Sequence, residues 1–374
     1  MNGSIRVGNL FGIPFYVHPS WFLVLGLVTF TYGGELVSIF PGLGAGLSLI
    51  LGFVAALLLF ASVLAHELGH SFVAIQQGIE VKSITLFLFG GLAALEKESE
   101  TPAQSFWVAI AGPAVSLILF ALFTTIGSAT SLTGPLAAMV SLIAYINLIL
   151  ALFNLIPGLP LDGGNILKSL VWKVTGNPYK GVIFASRVGQ ILGWFGIVLG
   201  LLSILGISNI GSFWTLLIGW FLLRNAGYSA QSATIQNKLM GLTAEDAVIP
   251  NSPIVSADLS LRDFANNYII GKEQWGKFLI TDEEGQLQGA IFVDEMKNVP
   301  TSDWTTTKIR KLMQPIERTL TVKSNQSLLE VVTLLEKEQL SQLPVVRENG
   351  VLVGILEKAS IIRLLEKRAQ AEPA

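Results

Sequence analysis

The stretch Leu64-Ala65-His66-Glu67-Leu68-Gly69-His70 contains two of the chain's three histidines, four residues apart, with a glutamate between them. Positions i and i+4 of a helix lie on one face, with Cβ atoms about 5–6 Å apart, so both imidazoles can bind one metal ion. This HExxH pattern therefore predicts a pair of zinc ligands, with Glu67 as the candidate general base.

The motif lies in one of the most apolar parts of the sequence. Glu67 is the one acidic or basic residue, histidines aside, between Glu35 and Glu80. Of the 374 residues, 51% are hydrophobic and only 13% are charged, and the mean hydropathy is +0.61. These values are typical of a membrane protein, so we expect the HExxH helix to lie inside a lipid bilayer.

Composition excludes several classes of function. The chain contains no cysteine, which rules out disulfides, thiolate metal sites and thiol catalysis. The net charge is −2 and no basic patch is interleaved with aromatic residues, so we expect no nucleic-acid partner. No small-residue cleavage site follows the first apolar run, and we expect this run to be retained as a membrane span.

The chain changes character near residue 240. Residues 1–240 contain 9 of the 24 lysines and arginines, and residues 241–374 contain the other 15. We therefore predict a membrane-embedded domain over 1–240 and a soluble α/β domain over 241–374.

The first domain contains about six stretches long enough to cross a bilayer, each of roughly 20 apolar residues. They are 20–37, 48–76, 104–126, 136–157, 185–205 and 210–227. The stretch 79–95 begins with apolar and polar residues in alternation and contains Gly90-Gly91, which predicts a short β ribbon. Lysine and arginine occur in alternate connections only, so the positive-inside rule places both termini in the cytoplasm.

Two histidines leave a catalytic zinc ion without its usual third protein ligand. The remaining histidine, His18, is expected to be an interfacial residue. The better candidate is Asp162, which follows two prolines and a glycine at the end of the fourth predicted span. An aspartate at such a break in a membrane helix is expected to be functional, although it could also cap the helix that follows.

These residues resemble the site-2 protease family of intramembrane zinc metalloproteases. The resemblance rests on the HExxH motif, on Asn154 followed by Leu161-Asp162-Gly163 in a later span, and on the Gly-Gly ribbon between them. It implies one zinc ion per chain, bound by His66, His70 and Asp162, with Glu67 as the base. It also implies that the amide of Asn154 stabilises the oxyanion, and that the ribbon pairs with an unwound substrate.

Residues 241–374 contain a weak internal repeat. Phe278–Ile291 has a counterpart 65 residues later, at Leu343–Leu356, which predicts a duplicated unit over about 242–300 and 305–367. The repeat resembles a pair of CBS domains, a module that commonly senses adenine nucleotides. The family's usual Thr and Asp are replaced by Glu357 and Ser360 here, and in the first copy by Phe292 and Glu295. A purely structural or dimerising role is therefore as well supported as nucleotide binding.

The sequence thus predicts a polytopic α-helical membrane protein with a short β ribbon and a C-terminal CBS pair. The expected activity is zinc-dependent cleavage of a peptide bond in or near a transmembrane segment of another protein. The expected location is a bacterial plasma membrane or an organelle membrane. Two alternatives remain open at this point: a CBS-regulated transporter whose buried polar residues relay ions or protons, and an inactive scaffold of the same family.

Overall fold

The computed structural model describes residues 3–88, 90–249, 252–271, 275–315 and 320–371 of the chain. The chain separates into two compact units, residues 1–234 and 235–374. The predicted domain boundary at residue 240 lies a few residues after this division.

Among its described residues, the first unit contains four strands and seven α-helices, the last of which continues past residue 234. The helices are α1 (Ser20–Ile39), α2 (Gly44–Gln76), α3 (Pro102–Ala129), α4 (Gly134–Asn154), α5 (Asp162–Thr175), α6 (Pro178–Ile204) and α7 (Phe213–Leu239). Within the described residues, five helices are long and apolar enough to cross a membrane: α1, α2 with the short turn before it, α3, α4 and α6. The protein is an integral membrane protein with an α-helical core.

The sixth predicted span, 210–227, corresponds to the first part of α7. The apolar run of this helix ends at Leu223, because Arg224 and Asn225 follow it. By length and composition the described residues therefore contain five candidate spans, and the sixth predicted span is not among them.

The predicted ribbon is part of a larger sheet. Its strands are β3 (Val81–Phe87) and β4 (Gly90–Leu95), and Phe89 between them lies outside the described residues. Two strands near the N-terminus, β1 (Ile5–Leu10) and β2 (Ile13–Val17), complete a four-stranded sheet in the order β1-β2-β3-β4. Because β4 is at the end of this order, one of its edges faces away from the sheet.

A break in the helices places Asp162. Helix α4 ends at Asn154, and α5 begins at Asp162 after an irregular segment that contains Pro157 and Pro160. Proline lacks the backbone N–H that continues a helix, which explains why α4 ends before this segment. A Cβ atom on Gly163 or Gly164 would overlap backbone atoms of the segment. Glycine at both positions therefore lets the segment fold back against the first turn of α5.

The second unit has the repeated topology that the sequence predicts. Its elements are β5 (Ile254–Ser256), α8 (Leu261–Phe264), β6 (Lys277–Thr281), β7 (Leu287–Phe292), β8 (Gln314–Pro315), β9 (Val322–Lys323), α9 (Leu328–Lys337), β10 (Gln342–Val346), β11 (Leu352–Glu357) and α10 (Lys358–Ala371). Strands β6 and β7 have the same bounds as β10 and β11 when shifted by 65 residues. Each pair is antiparallel, and each is joined to a parallel third strand.

The two copies exchange their flanking segments. Leu242, Ala244 and Ala247 pack into the core of the second copy, and the backbone N–H of Leu328 donates to the carbonyl of Leu242. Ile309 packs in turn into the core of the first copy. The predicted repeats assign the segment before β5 to the first copy and the segment around Ile309 to the second. In the structure, the first of these segments packs against the second copy, and the other packs against the first copy.

Candidate metal centre

Two imidazoles face each other on α2. His66 and His70 are one helical turn apart, and their Nε2 atoms are separated by 3.3 Å. His66 is 3% exposed. The i, i+4 spacing of the motif has therefore placed both side chains on one buried face, as expected for a helix.

Asp162 completes the cluster from the start of α5. Its Oδ2 atom lies 3.0 Å from Nε2 of His66 and 3.3 Å from Nε2 of His70. Ligand atoms about 2.0–2.1 Å from one tetrahedral zinc ion are about 3.3–3.4 Å apart from each other. The three side chains therefore lie at separations that suit one shared metal ion, and they form the metal-ligand cluster found among the described residues.

The far side of each imidazole is held by α3. Nδ1 of His70 lies 2.6 Å from the backbone carbonyl of Val108, and Nδ1 of His66 lies 3.0 Å from Oγ of Ser116. A carbonyl oxygen only accepts, so Nδ1 of His70 carries the proton and Nε2 offers its lone pair. Such outer contacts fix the ring orientation of metal-binding histidines. No pattern in the sequence marks either contact.

Gly112 on α3 provides the space that the imidazoles occupy. A Cβ atom at this position would overlap Nε2 of His70 and would lie 2.7 Å from Nε2 of His66. The absence of a side chain here is therefore a condition for both rings to reach their positions.

Glu67 and Asn154 lie beside the cluster. The backbone of Ala93 in β4 donates a hydrogen bond to the Glu67 carboxylate, and Gly91 in the same strand lies directly against it. Asn154 ends α4, and its Nδ2 atom donates to the carbonyl of Leu150 at 3.1 Å. Both residues line two cavities, of about 340 Å³ and about 310 Å³, that His66 also lines.

His18 lies apart from the metal-ligand cluster. It is exposed, and its Nδ1 atom contacts Oγ of Ser20 at 2.8 Å.

Asp162 does not cap the helix that it begins. The N-cap of α5 is Leu161, and Asp162 is the first residue of the helix. The interpretation of Asp162 as the capping residue is therefore wrong, because its carboxylate is directed at the two imidazoles.

The chain is similar to known metalloproteases along its whole length. The model of peptidase family M50 matches residues 54–133 and 124–203. A Synechocystis protein named as a zinc metalloprotease is 60% identical over 369 residues, which cover 99% of this chain and 97% of that protein. The chain belongs to peptidase family M50. Rip3 of Mycobacterium tuberculosis is also named as a zinc metalloprotease. It is 31% identical to this M50 chain, and the match covers 100% of this chain and 96% of Rip3.

Two further comparisons concern the second unit and a solved structure. A CBS domain model matches residues 309–367 of this M50 chain. The solved site-2 protease of Methanocaldococcus jannaschii is 28% identical, covers 61% of this chain and 95% of that protein, and superposes with a TM-score of 0.45. The resemblance to the site-2 proteases and the CBS resemblance are confirmed.

The cluster of this M50 peptidase fits zinc chemically. Two neutral imidazoles and one carboxylate are a ligand set found in catalytic zinc sites, which keep a fourth position open. Nε2 of His70 is left free by the Nδ1 contact with Val108, and Gly112 leaves room beside both rings. The donor atoms, their separations and their surroundings are thus suited to one zinc ion.

Proposed function

We propose that the protein is an intramembrane zinc endopeptidase that hydrolyses a peptide bond in or near a transmembrane segment of another membrane protein. The observation that carries this proposal is the position of Glu67. Its carboxylate adjoins the cluster of His66, His70 and Asp162, and Glu67 lines two cavities beside this cluster. A base beside a metal-ligand cluster, with space for a substrate, is the arrangement that hydrolysis needs.

The proposed chemistry divides between the ion and the side chains. A zinc ion, when bound, polarises the scissile carbonyl and lowers the pKa of a water molecule to about 7. Glu67 accepts a proton from the attacking water on a carboxylate oxygen and returns it to the nitrogen of the leaving amine. Nδ2 of Asn154 leaves the carbonyl of Leu150 and donates to the developing oxyanion.

Strand β4 supports a binding mode for the substrate. A helical segment hides its peptide bonds, so the substrate has to unwind before it can be attacked. One edge of β4 is not paired within its sheet, and Gly91 in β4 contacts Glu67. An extended substrate that adds to this edge would bring its backbone next to the proposed base.

The Glu67→Gln variant tests the activity. Purified wild-type protein in liposomes should cleave a transmembrane peptide, and Glu67→Gln should retain zinc but lose cleavage, because the amide cannot accept the proton. Persistent cleavage by the variant would refute the role of Glu67. An inactive wild type with full zinc would instead favour the scaffold alternative.

We also propose that both termini lie in the cytoplasm, which requires α7 to cross the membrane. The guanidinium of Arg224 lies over the rings of Trp220 and Tyr228, at 5.4 and 5.7 Å from their centres. Aromatic and basic residues of this kind are typical of a membrane interface. Since the chain lacks cysteine, Asn209→Cys and Thr301→Cys can be probed singly with an impermeant maleimide. Labelling of position 209 but not position 301 on intact cells is expected, and labelling of both would contradict the proposal.

For the CBS pair we propose a regulatory or dimerising role. A cavity of about 220 Å³ between the copies is lined by Lys277, Gln314 and Gln342 among others. Glu295 and Ser360, which stand where CBS domains usually contact a nucleotide, both have hydrogen-bond partners within the chain. Glu295 accepts from Nε2 of Gln314 at 3.0 Å, and Ser360 donates to the carbonyl of Ala247 at 2.6 Å.

A thermal-shift titration separates the two roles. A rise in the melting temperature of the full chain with millimolar AMP, ADP or ATP would establish a nucleotide sensor, because ligand binding to the folded state stabilises it. No rise, together with a dimer by sedimentation, would establish the dimerising role.

A further inference from the structure

Glu67 lines two cavities of contrasting character. The larger is lined mainly by apolar side chains, among them Leu59, Phe153 and Phe221. The smaller contains polar and charged groups instead, including Glu98, Ser99, Ser105, Asn165 and Lys168. A substrate that passes the proposed base would therefore have an apolar part on one side of the scissile bond and a polar part on the other.

Lys168 is the one basic residue among the described residues that line the polar cavity. Its side chain is only 17% exposed, and its Nζ atom lies 3.7 Å from Oε2 of Glu98. This distance is too long for a hydrogen bond. The Glu98 side chain is itself 89% exposed, and ion pairs to exposed carboxylates contribute little. A mostly buried lysine side chain thus lines the cavity with only a weak counter-ion.

The position of Lys168 on α5 sets its distance from the reaction. It follows the metal-binding residue Asp162 by six positions, which corresponds to about 9 Å along a helix axis. An extended peptide advances about 3.3 Å per residue. The ammonium group is therefore within reach of a substrate side chain about three residues from the scissile bond.

The acidic groups of the site restrict where a substrate carboxylate can bind. At the cluster, the carboxylates of Glu67 and Asp162 offset the charge of a bound zinc ion, so this end of the cavity offers no net positive charge to a substrate carboxylate. At the other end of the cavity, a substrate carboxylate can displace the exposed Glu98 and pair with Lys168.

We propose that Lys168 is a specificity-determining residue that binds an acidic side chain about three residues from the scissile bond, on the polar side. The preferred substrate is then an apolar membrane segment that continues directly into a short acidic stretch. This inference rests on the proposed function, since it assumes that the cavities receive a peptide.

Peptide binding tests the inference separately from cleavage. The probes are synthetic peptides with about 20 apolar residues and a Gly/Ser tail that carries one Asp, one Asn or one Lys at successive positions. Their dissociation constants are measured by fluorescence anisotropy on zinc-loaded, full-length Glu67→Gln protein in neutral detergent. At the best position, we expect Asp to bind about tenfold more tightly than Asn, as for one hydrogen bond to a charged group.

Variants of Lys168 and Glu98 test whether Lys168 causes the preference for the Asp peptide. Lys168→Met should remove the preference for Asp, and Lys168→Glu should shift it to Lys. Glu98→Gln should keep or increase the preference, because it removes the competing carboxylate. Equal binding of the Asp and Asn peptides, or no binding of either, would overturn the inference. Loss of the preference in Glu98→Gln would also overturn it, since Lys168 would then act only by holding Glu98.

The same peptides report on the proposed function through the wild-type enzyme. Peptides that bind with the expected preference but are never cut would leave the role of Lys168 standing and contradict the endopeptidase activity. Equal cleavage of peptides with and without the acidic residue would support the endopeptidase activity and contradict the role of Lys168.

Discussion

Nε2 of His66 lies 3.0 Å from Oδ2 of Asp162, although the two residues are 96 positions apart in the chain. The contact joins α2 to the first turn of α5, and neither helix alone contains a complete set of metal ligands. The site therefore depends on residues that bring these helices together without touching a substrate. Substitutions at such residues should affect the metal, the base or the helix packing in separable ways.

Gly112→Ala should weaken metal binding. The added methyl group would overlap the His70 imidazole and crowd His66, so the rings would have to move apart. We expect the zinc affinity to fall by about 10- to 100-fold, the usual range for changes around the ligands. Metal content after dialysis against a competing chelator measures this.

The matched control is Gly127→Ala on the same helix. Its Cβ atom would meet Cγ1 of Val140 at 3.6 Å, which is an ordinary contact. Equal zinc retention by the two variants would contradict the proposed reason for glycine at position 112.

Gly91→Ala should damage catalysis while zinc stays bound. The methyl group would overlap the side chain of Glu67 and displace its carboxylate, and none of the three metal ligands is among the atoms nearest to it. A displacement of about 1 Å can cost about 10²-fold in rate. The turnover number and zinc content should be compared with those of Gly46→Ala, an α2 position where the new atom meets nothing within 4 Å. Loss of zinc in Gly91→Ala would argue against this account.

Asn147 should stabilise the packing of α4 against α2. It is fully buried, and its Nδ2 atom donates to Oγ of Ser62 at 2.9 Å, one turn before His66. Hydrogen bonds between membrane helices contribute about 0.6–2 kcal/mol. A double-mutant cycle of Asn147→Leu and Ser62→Ala, followed by unfolding in mixed detergent, should give a coupling energy in this range.

Ser48→Ala on α2 is the control for this cycle. Ser48 is equally buried, but its hydroxyl donates within its own helix, to the carbonyl of Gly44. Its coupling with Asn147 should be zero, and a zero coupling for Ser62 would contradict the predicted contact.

The sequence predicted those parts of the structure that depend on local geometry or on the bilayer. The spacing of His66 and His70 suffices to place both on one face of a helix, and apolar runs of sufficient length indicate spans. Asp162 was identifiable because a carboxylate next to helix-breaking prolines inside a membrane protein is costly without a role. The predictions of a β ribbon at 79–95 and of a strand repeat in the second unit are also confirmed.

Other features depend on contacts that no local pattern shows. Helix α3 is apolar on all sides, so nothing in its sequence marks Gly112, Val108 or Ser116 as the residues that face the histidines. Strand β2 pairs with β3 across the 63 residues that lie between them, and the exchanged flanks of the CBS copies are equally non-local. Length and composition do not identify the sixth span, because polar residues follow the apolar start of α7 in the same helix.

The most direct test of the metal centre is X-ray absorption at the zinc edge of the purified, zinc-loaded protein. The account predicts one zinc ion per chain with two imidazole nitrogens and carboxylate oxygen at about 2.0–2.2 Å, and a fall in zinc content in Asp162→Ala. Zinc bound by fewer than two imidazoles, or a full complement with an unchanged spectrum in Asp162→Ala, would contradict it.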